Sequence, residues 1–269
     1  MRNRLLAIAA LCGALISPLR AAPEQPKKDA AIRALLICGG CCHDYTRQKD
    51  ILTQGISKRA NVEWTVALDP STEREHKHSV YAKPDWWKGF DVIVHDECFG
   101  YVTDVEFVEG IVKAHEAGIP AVNLHCSMHS YRNAKTDKWV EMLGIRSMKH
   151  GPKLPIAVGY KKTDHPITQG LADWATGPDE LYNNIKVFET CTPLATGKQA
   201  DEQSIVVWTN DFKGTRVFCT TLGHGNDTVG DDRYLDLVAR GLLWSVNKLD
   251  DQHFTPVKRE SSEQKSATR

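Results

Sequence analysis

Histidines recur in one kind of place along this chain, just after short apolar runs. The run from Arg33 to Cys38 empties into "GGCCHDY", which carries His43 and Asp44. Val92 to Val94 leads into "HDECFG", with His95, Asp96, Glu97 and Cys98. Ala121 to Leu124 leads into "HCSMHSYR", with His125, Cys126, His129 and Arg132, and Val217 to Leu222 into "GHGND", with His224 and Asp227. The chain has 11 histidines, so this share at strand-like ends is a pattern to explain. Two chemistries use such a cluster. A divalent metal such as zinc takes imidazole and carboxylate ligands from several segments and keeps a position open for water. General acid–base catalysis takes one histidine near neutral pKa, oriented by a carboxylate. A polar crevice in which histidines only bind loops is the bland alternative. No HExxH pattern fixes ligands locally.

A second feature is "PDELYN", where Glu180 and Tyr182 follow Gly177-Pro178. It reads as a loop or short helix whose acid and phenol could flank a substrate. His150, in "KHGP", lies in a long irregular stretch from which it could close a site from above.

The elements that must position these residues alternate. "RALLIC", "VEWTVAL", "DVIVH" and "AVNL" read as buried strands. Between them, "TRQKDILTQGISKR" and "DVEFVEGIVKAHEAG" place apolar residues at helical spacing. Strands separated by helix-length segments predict an α/β sandwich around a mainly parallel sheet, with helices on both faces. In such sheets ligands bind beyond the carboxyl ends of the strands, where the histidines fall. Farther on, "SIVVWT" and "TRVFCTTL" flank the turn signal "NDFKG" and predict a hairpin. "DDRYLDLVARGLLWSVNKL" predicts an amphipathic helix in which Gly241 allows close approach to the sheet.

The 269 residues suit one generous α/β domain, placed at 31–249. Residues 1–22, with Arg2 and Arg4 before an apolar run, read as a cleaved signal peptide. Residues 23–30 then form a linker and 250–269 a disordered tail. Export predicts a periplasmic or secreted protein without stable membrane insertion. Lys+Arg and Asp+Glu are both 34, which favours no nucleic-acid partner. Apart from Cys12, the cysteines are Cys38, Cys41, Cys42, Cys98, Cys126, Cys191 and Cys219, an odd set not spaced like a disulfide scaffold.

Taken together, "LLICGGCCHDY", "DVIVHDECF", "AVNLHCSMHSYR", "DHPITQGL", "DELY", "VFCTTLGHG" and "RGLLW" resemble the ThuA-like (trehalose utilisation) family in order and spacing. The resemblance implies a flavodoxin-like, class I glutamine amidotransferase-like sandwich and a place in bacterial sugar catabolism through keto-sugar intermediates. In that superfamily the strand-to-helix turn carries Gly-x-Cys-x-Gly with a cysteine nucleophile. Here the run is Asn123-Leu124-His125-Cys126-Ser127. His125 takes the nucleophile's place and Cys126 falls one residue late, which counts against thiol hydrolysis. His43, His125 and His224 match the family pattern, and His129 a second histidine of some members.

The expectation is therefore an exported protein acting on a (keto-)glycoside or related sugar by hydrolysis, elimination or isomerisation. His43, His125, His129 and His224, joined by Glu97, would hold a divalent metal, zinc foremost, or the polar sugar itself. Glu180 and His150 would move protons, and Asp44, Tyr182, Arg132 and Asp227 would contact the carbohydrate. A homo-oligomer is compatible with this reading. The rivals are a carbohydrate-binding protein without catalysis and a hydrolase using Cys126.

Overall fold

Nine residues from Ile32 to Gly40 form the first strand, β1, and all but Arg33 are buried. A near-continuous apolar run of this kind is what a central parallel strand requires, because helices cover both of its faces. The computed structural model describes residues 30–257. After β1 come α1 (Tyr45–Ser57), β2 (Val62–Asp69), β3 (Val92–Cys98), α2 (Val105–Glu116), β4 (Ala121–Leu124), α3 (Lys138–Leu143), β5 (Ile145–Arg146) and β6 (His150–Tyr160). The chain continues through β7 (Trp174–Tyr182), β8 (Lys186–Val187), β9 (Cys191–Gln199), β10 (Glu202–Phe212), β11 (Thr215–Thr220), α4 (Asn226–Val229) and α5 (Asp232–Ser245). The expected leader, the linker up to residue 29 and the tail beyond residue 257 lie outside the described residues.

Nine strands form one sheet in the order β2-β1-β3-β4-β11-β10-β9-β6-β7. The first five pair in parallel and have the doubly wound order of a flavodoxin-like sheet. The remaining pairings, from β11 outwards, are antiparallel. The sandwich is therefore α/β, with its parallel half extended by an antiparallel arm. Alternate residues of β1 enter opposite cores. Ala34, Leu36 and Cys38 pack with α1 and α5, and Leu35 and Ile37 with α2 and α3.

Two glycines set the spacing that the site depends on. Gly40 lies at φ +103, and a Cβ there would fall 2.3 Å from the Cys98 carbonyl oxygen, so β1 and β3 close up at their carboxyl ends only because no side chain intervenes. Gly241 gives α5 its approach to the sheet, since a Cβ there would lie 2.4 Å from the Phe218 ring of β11. The β10–β11 hairpin turns through Lys213 and Gly214, both at positive φ, as a tight two-residue hairpin loop demands.

Three expectations need correction. "PDELYN" is neither loop nor helix: Glu180 and Tyr182 end β7. Gly177-Pro178 looked like a breaker, but β7 is the outermost strand of its arm, where a missing N–H interrupts no ladder on the open side. The irregular stretch around His150 is likewise the start of β6. Residues 250–257, assigned to the tail, fold back onto the domain. Thr255 N–H donates to the Arg59 carbonyl at 2.8 Å, and Phe254 packs against the α1/α5 core.

Candidate functional site

Three of the parallel strands, β1, β4 and β11, each deliver one part of the site. Beyond β1, the turn Cys41-Cys42-His43 precedes Asp44, whose carboxylate accepts from Arg47 N–H and caps α1. Beyond β4 the chain enters a 3-10 helix, His125–His129. His125 opens it at φ +37, a left-handed conformation that a residue with a Cβ adopts at a cost of order 1 kcal/mol or more. This is the sharp elbow that the sequence pattern predicts. Beyond β11, Gly223 and His224 donate their backbone N–H groups to the Asp179 carboxylate at 2.9 and 3.1 Å. Asp179 is fully buried, and so the end of β7 fixes the turn that carries His224.

The result is a triad of imidazoles. The ring centroids of His43 and His125 lie 4.8 Å apart, those of His43 and His224 4.7 Å, and those of His125 and His224 5.4 Å. One nitrogen from each lies within 4.8 Å of the others. Zinc bound tetrahedrally would bring ligand nitrogens to roughly 3.4 Å of each other, given bonds of about 2.0–2.1 Å, so the rings need draw in by about an ångström. The orientation of the rings fits such a role. His125 Nδ1 donates to the Thr221 carbonyl at 2.6 Å and His43 Nδ1 to the His224 carbonyl at 3.3 Å, so each Nε2 keeps its lone pair. His224 Nδ1 is buried without a hydrogen-bond partner, 3.4 Å from Glu180 Oε2. Burial, then the proximity of His125 and His224, lowers the His43 pKa to about 2, so its ring is neutral at pH 7.

Glu180 joins the triad from β7. Its Oε2 lies 3.6 Å from both His125 Nε2 and His150 Nε2, and Lys153 Nζ is 3.9 Å from its Oε1. Burial opposes its ionisation, but the His125 and His224 rings beside it outweigh that and hold the carboxyl well below the usual carboxylate range. The Tyr182 hydroxyl donates to His125 Nε2 at 3.3 Å. Burial, then Glu180 and Asp179, raises the Tyr182 pKa, so it stays a phenol. His43, His224, Glu180, Tyr182 and Lys153 line a cavity of about 320 Å³, with His125 set behind its wall, at the lower end of the range of about 300–1,000 Å³ for small-molecule sites. His150, His129 and Arg132 complete its wall.

Not every candidate sits where the sequence suggests. Glu97 is fully buried on the far face of the sheet, accepting from Tyr81 and from His95 Nδ1 at 2.7 and 3.0 Å. The strand runs on to Cys98, so Glu97 shares a face with His95 and points into the core. His129 lines the cavity but does not join the triad. It stacks on Tyr182 at 3.9 Å, and its Nε2 donates to Ser147 Oγ at 2.9 Å. In a 3-10 helix, with three residues per turn, a residue four places on is rotated by about a third of a turn. Asp44 lies in a shallower recess beside His43 and His224 and accepts from Asn226. Asp227 is exposed in the first turn of α4 and lines no described cavity. Cys126 is bonded to Cys98, which leaves no thiol for a cysteine hydrolase in this form. Asp179, Lys153 and Arg74, another residue of the cavity wall, went unread. Strand alternation at Asp179-Glu180 would have flagged the first of them.

The trehalose utilisation family, ThuA, matches residues 33–245. A ThuA-like protein from Bacteroides uniformis superposes with a TM-score of 0.62 at 16% identity, over 86% of this chain and 98% of that one. A cold-adapted β-galactosidase from a Rahnella species does so with a TM-score of 0.55 at 13% identity, over 82% of this chain but 32% of that one. A carbohydrate deacetylase gives 0.52 at 13% identity, over 81% of this chain and 32% of that one. These likenesses are of fold. No curated protein matches the sequence.

Proposed function

The chain belongs to the trehalose utilisation (ThuA) family, a sugar-utilisation-related protein, and from that premise we propose that it is an exported enzyme acting on a (keto-)glycoside or related sugar. The observation that carries this reading is the meeting of His43, His125 and His224 around an ionised Glu180 at the carboxyl edge of the parallel strands. The three imidazoles would hold a divalent metal, zinc foremost. When bound, such an ion supplies Lewis acidity toward a sugar carbonyl or hydroxyl oxygen.

The chain's own groups do the rest. Glu180, buried and ionised at neutral pH, takes a proton from the sugar as general base. The Tyr182 phenol donates a hydrogen bond to a substrate oxygen in place of His125 Nε2. His150 reaches Glu180 from the exposed side and carries the proton to a leaving oxygen, giving elimination or hydrolysis. A non-catalytic sugar-binding role is the rival, and loss of Glu180 separates the two. Export is supported by the Cys41–Cys42 and Cys98–Cys126 disulfides, since such bonds persist in oxidising compartments.

Elemental analysis of the purified protein, combined with a screen of 3-keto-glycosides, tests the proposal. One zinc per chain and turnover that chelation removes and zinc restores is the expected result. Stripped protein and a His125→Ala variant that both bind and convert sugar normally would overturn it.

A further inference from the structure

Four of the described cysteines meet at one wall of the cavity. Cys42 is exposed and Cys41 half-buried, and they are bonded to each other. Behind them Cys98 and Cys126, both buried, form a second disulfide. The pairs touch, with Cys41 Sγ 3.7 Å from Cys98 Sγ. Two further observations give the quartet direction and purpose. Arg74 Nη2 lies 3.8 Å from Cys42 Sγ, placing a cation beside the one exposed sulfur, where an incoming thiolate is drawn. On the inner side, the Cys98 and Cys126 sulfurs and a His43 nitrogen all lie within 4.8 Å of one another.

We propose that this sulfur quartet is a redox-gated site for a soft divalent cation. An external dithiol reduces the inner pair through the outer one, and Cys98, Cys126 and His43 then bind the ion. The exchange balances. A thiolate of the dithiol attacks Cys42 Sγ and breaks the Cys41–Cys42 bond, leaving Cys41 as thiolate. Cys41 attacks Cys98 Sγ, forms Cys41–Cys98 and releases Cys126 as thiolate. The second thiol of the reductant attacks the reductant sulfur bonded to Cys42, so that the reductant leaves as the cyclic disulfide and Cys42 is freed as thiolate. Cys42 attacks Cys41, restores the outer disulfide and releases Cys98. Two electrons have moved from the dithiol to the inner pair, and its two protons go to the new thiols or, when metal binds, to water. Thiolates with an imidazole select soft or borderline ions such as zinc. This site does not require the histidine triad to hold metal, although it shares His43 with it.

Cadmium(II), titrated into the purified chain, tests the idea through the ultraviolet thiolate-to-cadmium charge-transfer absorption, which imidazole ligands do not give. The air-oxidised protein should show none, which also controls for Cys38, Cys191 and Cys219, free in both states. After dithiothreitol treatment and removal of the reductant, the absorption should rise and saturate at one equivalent. It should persist in a His125→Ala/His224→Ala variant, so that failure of the triad reading and failure of this one are distinguishable. It should vanish in Cys98→Ser and in Cys126→Ser. In Cys41→Ser/Cys42→Ser, reduction of the inner pair should slow at least tenfold. A reduced wild-type protein without the absorption overturns the site, and a double serine variant reduced as fast as wild type overturns the relay. The wild-type comparison needs no variant and does not hinge on any substitution folding.

Discussion

Glu180 carries the sharpest residue-scale prediction. Glutamine at this position keeps shape and hydrogen bonding but loses the base, and general-base groups contribute about 10²–10⁴-fold. Glu180→Gln should therefore lower kcat by about 100-fold or more while leaving metal content, read by elemental analysis, at the wild-type level. A variant that bound sugar normally and turned it over normally would return Glu180 to a structural role. His43, His125 and His224 were legible in the sequence because each follows a buried parallel strand, and such strands all end on one edge. Glu97 was misread because β3 extends beyond His95, and two residues along a strand is the same face. His129, proposed as a ligand on the family resemblance, stays out of the triad because the turn is wound at three residues and rotates it away from His125. The sulfur contacts come from segments far apart in the chain, and no local spacing announces them.

At the scale of elements, α5 and β11 depend on the absence of one side chain. Gly241→Val would force a Cβ and two methyl groups into the Phe218 ring. Overpacking of this kind costs about 1–3 kcal/mol, so thermal unfolding should shift down by several degrees. Since β11 leads directly to His224, the variant should also bind metal more weakly. An unchanged Tm would mean that α5 can lift off the sheet without cost. The parallel half of the fold was readable as buried runs alternating with helical ones. Of the antiparallel arm the β10–β11 hairpin was readable too, but β6 and β7 were not, because Pro152, Pro155 and Pro178 sit within them. Edge position, a property of the assembled sheet, is what excuses Pro178 in β7.

For the whole molecule, buried neutral histidines make acid stability a readable quantity. Burial, first among the causes, lowers His43 and His129 to about 2, whereas an unfolded histidine titrates near 6.5. Below that value the unfolded chain binds protons that the folded one refuses. The stabilisation is complete above about pH 6.5 and is lost progressively as pH falls toward 2. Between pH 7 and 5 the metal-free protein should lose stability by roughly 1 kcal/mol per unit for each such histidine at the steepest part. Urea midpoints across that window check this. His129→Gln, which can still reach Ser147, should flatten the slope, and an identical slope would assign the acid sensitivity elsewhere. Described residues contain no helix long and apolar enough to cross a membrane.

The elbow at His125 has one more consequence. A left-handed residue between β4 and the following helix is a post that folding alone would give to glycine. Histidine there is a preference imposed on the chain against its own backbone. Under random substitution, drift at this position runs downhill toward glycine, and only a continuing use for the imidazole holds it in place.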